Sequence, residues 1–205
     1  MDYWRKKYLL PAIKENKKIA LVGIGDADAY LKMSNLDVWD PFLISNNCTN
    51  YRIYDIDERL VQIAESKGIN ACCCDVTEAS LGELFDYIFA CDVIEHVGNP
   101  IAFMVNLKLS LNMGGKIVIT TPNCIYWRNF ITDLYNEYED HNFAFNKKHL
   151  VNIANKVGLE VVEVSSFQTT GGLNSFSKRV LQYFHYLMAK LGRGNSLIMV
   201  TTKDI

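Results

Sequence analysis

The chain has 205 residues, of which 49% are hydrophobic and 21% charged, with a formal charge of -2. That balance fits one globular domain able to bury a full core, and it excludes disordered and fibrous chains. It also excludes the strongly basic footprint of a nucleic-acid binder. No window approaches the roughly 18 apolar residues a membrane span needs.

Residues 2–14 predict a short amphipathic helix, with Tyr3, Trp4, Tyr8, Leu9 and Ile13 toward the core. The basic start is followed by neither an apolar signal core nor a small-residue cleavage site, so no secretory signal is expected. Lys18 to Val22 is an apolar run that stops at Gly23, a strand and its turn. Asp28 to Ser34 predicts a helix. The tail after it, residues 36–47, reads as irregular and broken at Pro41.

Tyr51 to Asp55 is the second strand. Asp57 is placed to cap a helix that runs to about Lys67 and stops at Gly68. Asn70 to Cys74 is the third strand, ending at Asp75, and Phe85 to Ala90 is the fourth, ending near Asp92. Asn99-Pro100 opens a helix through Leu111, stopped by Gly114-Gly115. Lys116 to Thr120 is the fifth strand. Residues 125–140 are aromatic-rich and read as helical. Asn146 to Val157 is a helix, and Leu159 to Ser166 and Leu197 to Lys203 are the last two strands. Between those strands Phe176, Val180, Leu181, Phe184, Leu187, Met188 and Leu191 recur at helical spacing.

Seven strands separated by helix-length segments imply βαβ units, a mostly parallel sheet and helices on both faces. Ligands of such sheets bind beyond the carboxyl ends of the strands, where strand order reverses. Gly23, Asp55, Asp75 and Asp92 all fall at such ends. Six cysteines occur, three of them consecutive at Cys72, Cys73 and Cys74. The run suits a buried strand with reduced thiols, hence a cytoplasmic chain, better than a disulfide framework. Spaced metal ligands are missing from it, so no metal site is expected.

Gly23-Ile24-Gly25 lets the backbone approach a ligand closely, ahead of a helix N-terminus. Asp28 stands where the third glycine of a dinucleotide fingerprint belongs, and an acid there is a poor neighbour for pyrophosphate. Asp55 can accept both hydroxyls of a ribose, or cap a helix. Asp75 can receive an adenine amino group while Val76 offers an amide and an apolar face; its bland role is again a cap.

With residues 85–100, FDYIFACDVIEHVGNP, the sequence resembles the class I S-adenosylmethionine-dependent methyltransferases. It is most similar to the subgroup of ubiquinone-pathway O-methyltransferases and of sugar and antibiotic methyltransferases. The run Asp92-Val93-Ile94-Glu95-His96-Val97 carries the likeness. So do the following helix, Met113-Gly114-Gly115, Thr121-Pro122-Asn123, and the segment from His141 to Glu160.

The resemblance implies a Rossmann-like three-layer α/β sandwich, with a mostly parallel seven-stranded sheet and an antiparallel last strand. One methyltransferase domain would fill residues 1–205, with an insertion over 167–197 on the substrate side. S-adenosyl-L-methionine is the implied cofactor. Gly23, Gly25 and Asp26 would lie by its methionine part, Asp55 by its ribose, and Ile56, Asp75 and Val76 by its adenine. The Asp92-Val93 backbone would face its ammonium. Two positions depart from the family: Leu21 stands where an acid is usual, and Ala27 where a third glycine is.

A methyl transfer needs a nucleophile held in line and water kept out. Histidine suits the removal of the acceptor's proton. His141, beside Asp140, and His96, just past the fourth strand, are the candidate catalytic residues; His149 reads as helix surface and His185 as structural. Tyr126, Trp127, Phe130 and Tyr135 wall a substrate pocket or fill core. The basic residues of the insertion flank either a packed helix or a substrate lid. The expected acceptor is a small molecule, such as a sugar, a lipid-linked compound or a natural product, with O-methylation favoured. Two alternatives stand beside this: a methyltransferase-like binding module without turnover, suggested by Leu21 and Ala27, and a nicotinamide-dependent oxidoreductase.

Overall fold

The computed structural model describes residues 4–25, 40–129, 141–168 and 176–203. A π-helical turn over Arg5–Leu9 leads into α1 (Leu10–Lys14). The chain then runs through β1 (Ile19–Val22), α2 (Asp40–Asn47), β2 (Tyr51–Asp55), α3 (Glu58–Ser66), β3 (Ala71–Cys73) and β4 (Phe85–Cys91). It continues as α4 (Pro100–Leu109), β5 (Leu111–Pro122), α5 (Lys147–Lys156), β6 (Glu160–Phe167), α6 (Phe176–Lys190) and β7 (Ser196–Thr202).

The seven strands form one sheet in the order β3-β2-β1-β4-β5-β7-β6. The pairs from β3 across to β5 are parallel, and β7 runs antiparallel to both of its neighbours. This is the expected Rossmann-like α/β sandwich. Strand order reverses between β1 and β4, which are hydrogen-bonded neighbours with Val22 opposite Ala90. That junction is where the topology opens a crevice for a ligand.

Alternation along β1 divides the core. Ala20 and Val22 enter one apolar cluster with Phe103, Met104 and Leu107 of α4 and Leu150 and Ala154 of α5. Ile19 and Leu21 enter the other, with Trp4, Leu9, Ile44 of α2 and Val61 and Ala64 of α3. Successive strand residues face opposite sides, so one apolar run serves both layers. Trp4, Tyr8 and Leu9 are buried as the sequence requires; Tyr3 lies outside the described residues.

Three expectations need correction. Asp40–Asn47 is helical, because Pro41 opens the helix rather than breaking it: a first-turn proline forfeits no hydrogen bond. The α4 helix ends at Leu109, and Gly114-Gly115 lie inside β5, where the β4 pairing shifts register. The cysteine run is not a buried strand: β3 is an edge strand and Cys73 is exposed, although all six thiols are free. The helix proposed for Asp28 to Ser34 lies outside the described residues, as does most of 125–140.

Asp57 and Asn99 cap their helices as expected, each accepting a backbone N–H. At the amino end of the sheet, Glu83 binds Lys18 (2.7 Å), Arg52 (3.3 Å) and the Tyr54 hydroxyl (3.2 Å). The Lys18 hydrogen bond, aided by Arg52 and opposed by burial, holds the Glu83 carboxyl below its ordinary range. A depressed carboxyl contributes stability above its unfolded pKa and loses it as pH falls through the folded one. Glu83→Gln should therefore flatten the acid-side loss of stability in thermal melts taken below about pH 4.5. The change should stay under about 1 kcal/mol, because the group is partly exposed.

Candidate functional site

Four strand ends meet along one edge. Val22 pairs with Tyr54 and Ala90, and Asp55 pairs with Cys73. Asp55 therefore closes β2, and Gly23, Asp75 and Asp92 sit just past the carboxyl ends of β1, β3 and β4. All four line one open hollow of about 1380 Å³ together with Gly25, Ile56, Val76 and Val93. That exceeds the ~300–1,000 Å³ of an ordinary small-molecule pocket. Of the sequence-predicted cofactor residues, only Asp26 lies outside the described residues.

The glycine bend is required by its geometry. Gly23 and Gly25 have φ +90 and +76, in the left-handed region. A Cβ on Gly23 would come 2.6 Å from Val93 Cγ2, so this backbone is open to an approaching ligand only without a side chain. The bend is fixed by Asp55. Its Oδ2 accepts from the Ile24 amide (2.7 Å) and its Oδ1 from the Asp57 amide (2.9 Å). Each oxygen keeps one further lone pair, the capacity that two ribose hydroxyls require. Asp75 Oδ1 accepts from both the Thr77 amide (2.8 Å) and the Thr77 hydroxyl (2.7 Å), so its capping role is real. The second carboxylate oxygen stays available to a ligand.

Asp92 has φ +55, which is uncommon for a residue other than glycine. Its amide donates to Thr120 O (2.9 Å), and the Thr120 hydroxyl donates to Asp92 Oδ1 (3.1 Å). A backbone held in this strained region beside a crevice is typical of ligand sites. Cys91 stands next to it. Burial first, then the charges of Asp40 and Asp92, push its thiol well above the usual range.

At another part of the hollow the structure brings together the two histidines picked from sequence. The His96 and His141 rings meet edge to face with centroids 4.7 Å apart. Asn142 Nδ2 donates to His96 O (2.6 Å) and the Phe143 amide to Glu95 O (3.1 Å), which straps the second segment onto the first. Glu95, His96 and His141 each offer a ligand atom within 4.8 Å of the others. Such a set can pass a proton or hold a cation.

Glu95 is buried and its Oε2 accepts from the Thr121 hydroxyl (2.9 Å). Sequence reasoning gave neither residue a role, although Glu95 adjoins His96 in the motif. Asn123 is also buried. Its Nδ2 donates to the carbonyls of Gly192 (3.1 Å) and Gly194 (2.7 Å). The Thr-Pro-Asn run thus orients a carboxylate and fastens the β7 approach. Losing the two Asn123 bonds should cost about 1–3 kcal/mol, so Asn123→Ala should lower the denaturation midpoint clearly.

His149 is exposed on α5, as expected. His185 lies 5.5 Å from the Trp127 ring, and Phe184 packs edge-on to Trp127 at 5.1 Å. Burial, then the Arg128 charge, lower the His185 pKa. Trp127 thus docks α6 onto the domain. Phe130, Tyr135 and Asp140 lie outside the described residues.

A methyltransferase-domain family model matches residues 35–164, more than half of the chain. No curated protein was found with a matching sequence. The fold is similar to an S-adenosylmethionine-dependent methyltransferase of Archaeoglobus fulgidus, with TM-score 0.65, 16% identity, and 97% and 91% of the two chains covered. A second such enzyme, from Mesorhizobium loti, gives 0.61, 14%, 94% and 96%. The N-methyltransferase NodS of Bradyrhizobium japonicum, in complex with S-adenosylhomocysteine, gives 0.58, 14%, 97% and 86%. The chain belongs to the methyltransferase-domain family, and it is an S-adenosylmethionine-dependent enzyme of the Rossmann-like class.

Proposed function

We propose that this methyltransferase moves the methyl group of S-adenosylmethionine to an oxygen of a small-molecule acceptor, as in the ubiquinone-pathway and sugar O-methyltransferase subgroup. One observation carries this: the strand-end acids and the His96–His141 pair line the same hollow. Gly23 and Gly25 pass beneath the methionine part of the donor, with Asp26 beside them. Asp55 takes the ribose hydroxyls and Ile56 covers the adenine. Asp75 and Val76 bracket the adenine, and the Asp92-Val93 backbone faces the ammonium.

The donor supplies an electrophilic methyl on a sulfonium leaving group. The protein's part is to align the acceptor oxygen, exclude water and receive a proton. His141 receives that proton, with His96 and the Thr121-bound Glu95 fixing its surroundings. The segment 167–197 stands on the acceptor side of the domain. Among the described residues no helix is long and apolar enough to cross a membrane; a sugar, a natural product and a lipid-linked compound all remain acceptor classes, and the proposed location is the cytoplasm.

The test pairs S-adenosylhomocysteine calorimetry with methyl release onto matched hydroxyl and amine acceptors. Faster turnover of the hydroxyl series is expected. His141→Gln should then lower kcat by ~10²–10⁴ while product affinity holds. Binding without turnover on any acceptor would favour the non-catalytic module instead. Transfer to amines alone would end the O-methyl assignment.

A further inference from the structure

We propose that Arg5 and Asp40 clamp the amino-acid end of the methyl donor, with Asp40 taking the ammonium and Arg5 the carboxylate. The family's usual acid on β1 is Leu21 here, and Leu21 is buried among the apolar side chains under Trp4. The carboxylate that β1 lacks is supplied from α2.

Arg5 Nε lies 2.7 Å from Asp40 Oδ1, and Arg5 Nη2 lies 2.8 Å from Oδ2. This is a two-pronged pair, the geometry in which guanidinium recognises carboxylate best. Their side chains are only 14% and 16% exposed, and both line the hollow. Leu21, Gly23 and Cys91, at the β1–β4 junction, line the hollow as well, and the charges of Asp40 and Arg5 both act on the Cys91 thiol. The acids assigned to ribose and adenine, Asp55 and Asp75, lie the other way, past the ends of β2 and β3. An adenosyl group placed on that side sends its amino-acid arm across β1 toward Arg5 and Asp40.

The charges suit such a ligand. The closed pair is neutral, and a zwitterionic amino-acid end is neutral too. Binding exchanges the Arg5–Asp40 ion pair for two mixed ones, so each charge keeps an opposite charge against it, which matters where both groups are largely out of water. A single acid at position 21 would meet the ammonium alone. The Arg5–Asp40 pair meets both ends of the zwitterion.

This rests on the adenosyl cofactor occupying the hollow, and two ligands separate the possibilities. S-adenosylhomocysteine carries the amino-acid end, whereas 5′-methylthioadenosine keeps the nucleoside and lacks it. By calorimetry on the full chain, Asp40→Asn and Arg5→Gln should each weaken S-adenosylhomocysteine about tenfold or more, the range for a charged hydrogen bond. Both should leave methylthioadenosine unchanged.

A double variant, Arg5→Asp with Asp40→Arg, keeps the bridge between the N-terminal segment and α2 but reverses its polarity. It should melt like the parent and still bind S-adenosylhomocysteine poorly. Recovered affinity in this swap would overturn the clamp and leave a purely structural bridge. Equal losses for both ligands would do the same. Unchanged affinity of Asp40→Asn for S-adenosylhomocysteine would likewise overturn Asp40 as the ammonium's partner. Parent protein that binds neither ligand would remove the cofactor assignment itself, an outcome distinct from failure of the clamp alone.

Discussion

Asp55→Ala is expected to weaken binding of S-adenosylhomocysteine by about 1–3 kcal/mol, the range for a lost charged hydrogen bond. The carboxylate sits at the end of β2 with one backbone amide on each oxygen. Its remaining lone pairs are what the proposed ribose contact uses. Because the ribose is common to every adenosyl ligand, the loss should be of similar size for methylthioadenosine. That behaviour is opposite to the one expected at Asp40. Titration of both ligands against both variants therefore maps which end of the donor each acid serves. Undiminished affinity in Asp55→Ala would leave this residue only the task of holding the Ile24 and Asp57 amides.

Gly23→Ala should act on stability and on ligand binding together. A side chain there must adopt φ +90, outside the usual range for L residues, and place its Cβ 2.6 Å from Val93 Cγ2. Strain of this kind costs about 1–3 kcal/mol. The variant should unfold at lower denaturant and bind S-adenosylhomocysteine weakly, because the bend moves away from the crevice. Adding Val93→Ala removes the contact but not the unfavourable torsion. The double variant should therefore recover part of the lost affinity and none of the torsional penalty. A Gly23→Ala protein as stable as the parent would show that the bend relaxes freely, and the tight-turn account would fail.

Strands and their ends were readable because each apolar run is closed by a residue that suits a loop. Gly23 and Asp75 end runs this way, and Asp55 is the last residue of its strand. The same feature marked the edge on which the proposed cofactor residues lie. Sheet order is different. That β7 inserts between β5 and β6 is a matter of long-range pairing, which no local pattern encodes; the reversed last strand came from the family resemblance. The helix at Asp40–Asn47 was missed because proline reads as a breaker unless its place in the first turn is known.

The cysteine run was misjudged for a related reason. Alternation shows that Cys72 and Cys73 face opposite ways, but not that β3 lies at the border of the sheet with Cys73 in solvent. His96 and His141 were chosen separately, one for its place after β4 and one for its neighbour Asp140. Their contact depends on the Asn142 and Phe143 bonds to the preceding turn, which only the folded chain reveals. Arg5 and Asp40 are 35 positions apart with no motif around either. An ion pair of that span leaves no trace in periodicity.

The clasp at Asn123 has a consequence for redesign. Its amide group holds the return leg of the 167–197 segment through the carbonyls of residues 192 and 194. Gly194 has no room for a side chain against the Phe167 carbonyl. A transplanted segment with another sequence has to keep a glycine there, offer two oxygens to that amide and present ring partners to Trp127. The far side of the sheet, where the nucleoside is proposed to lie, would not register the exchange. On the proposed acceptor-side placement of this segment, acceptor preference becomes a property of an exchangeable cassette, with the donor half left as a constant chassis.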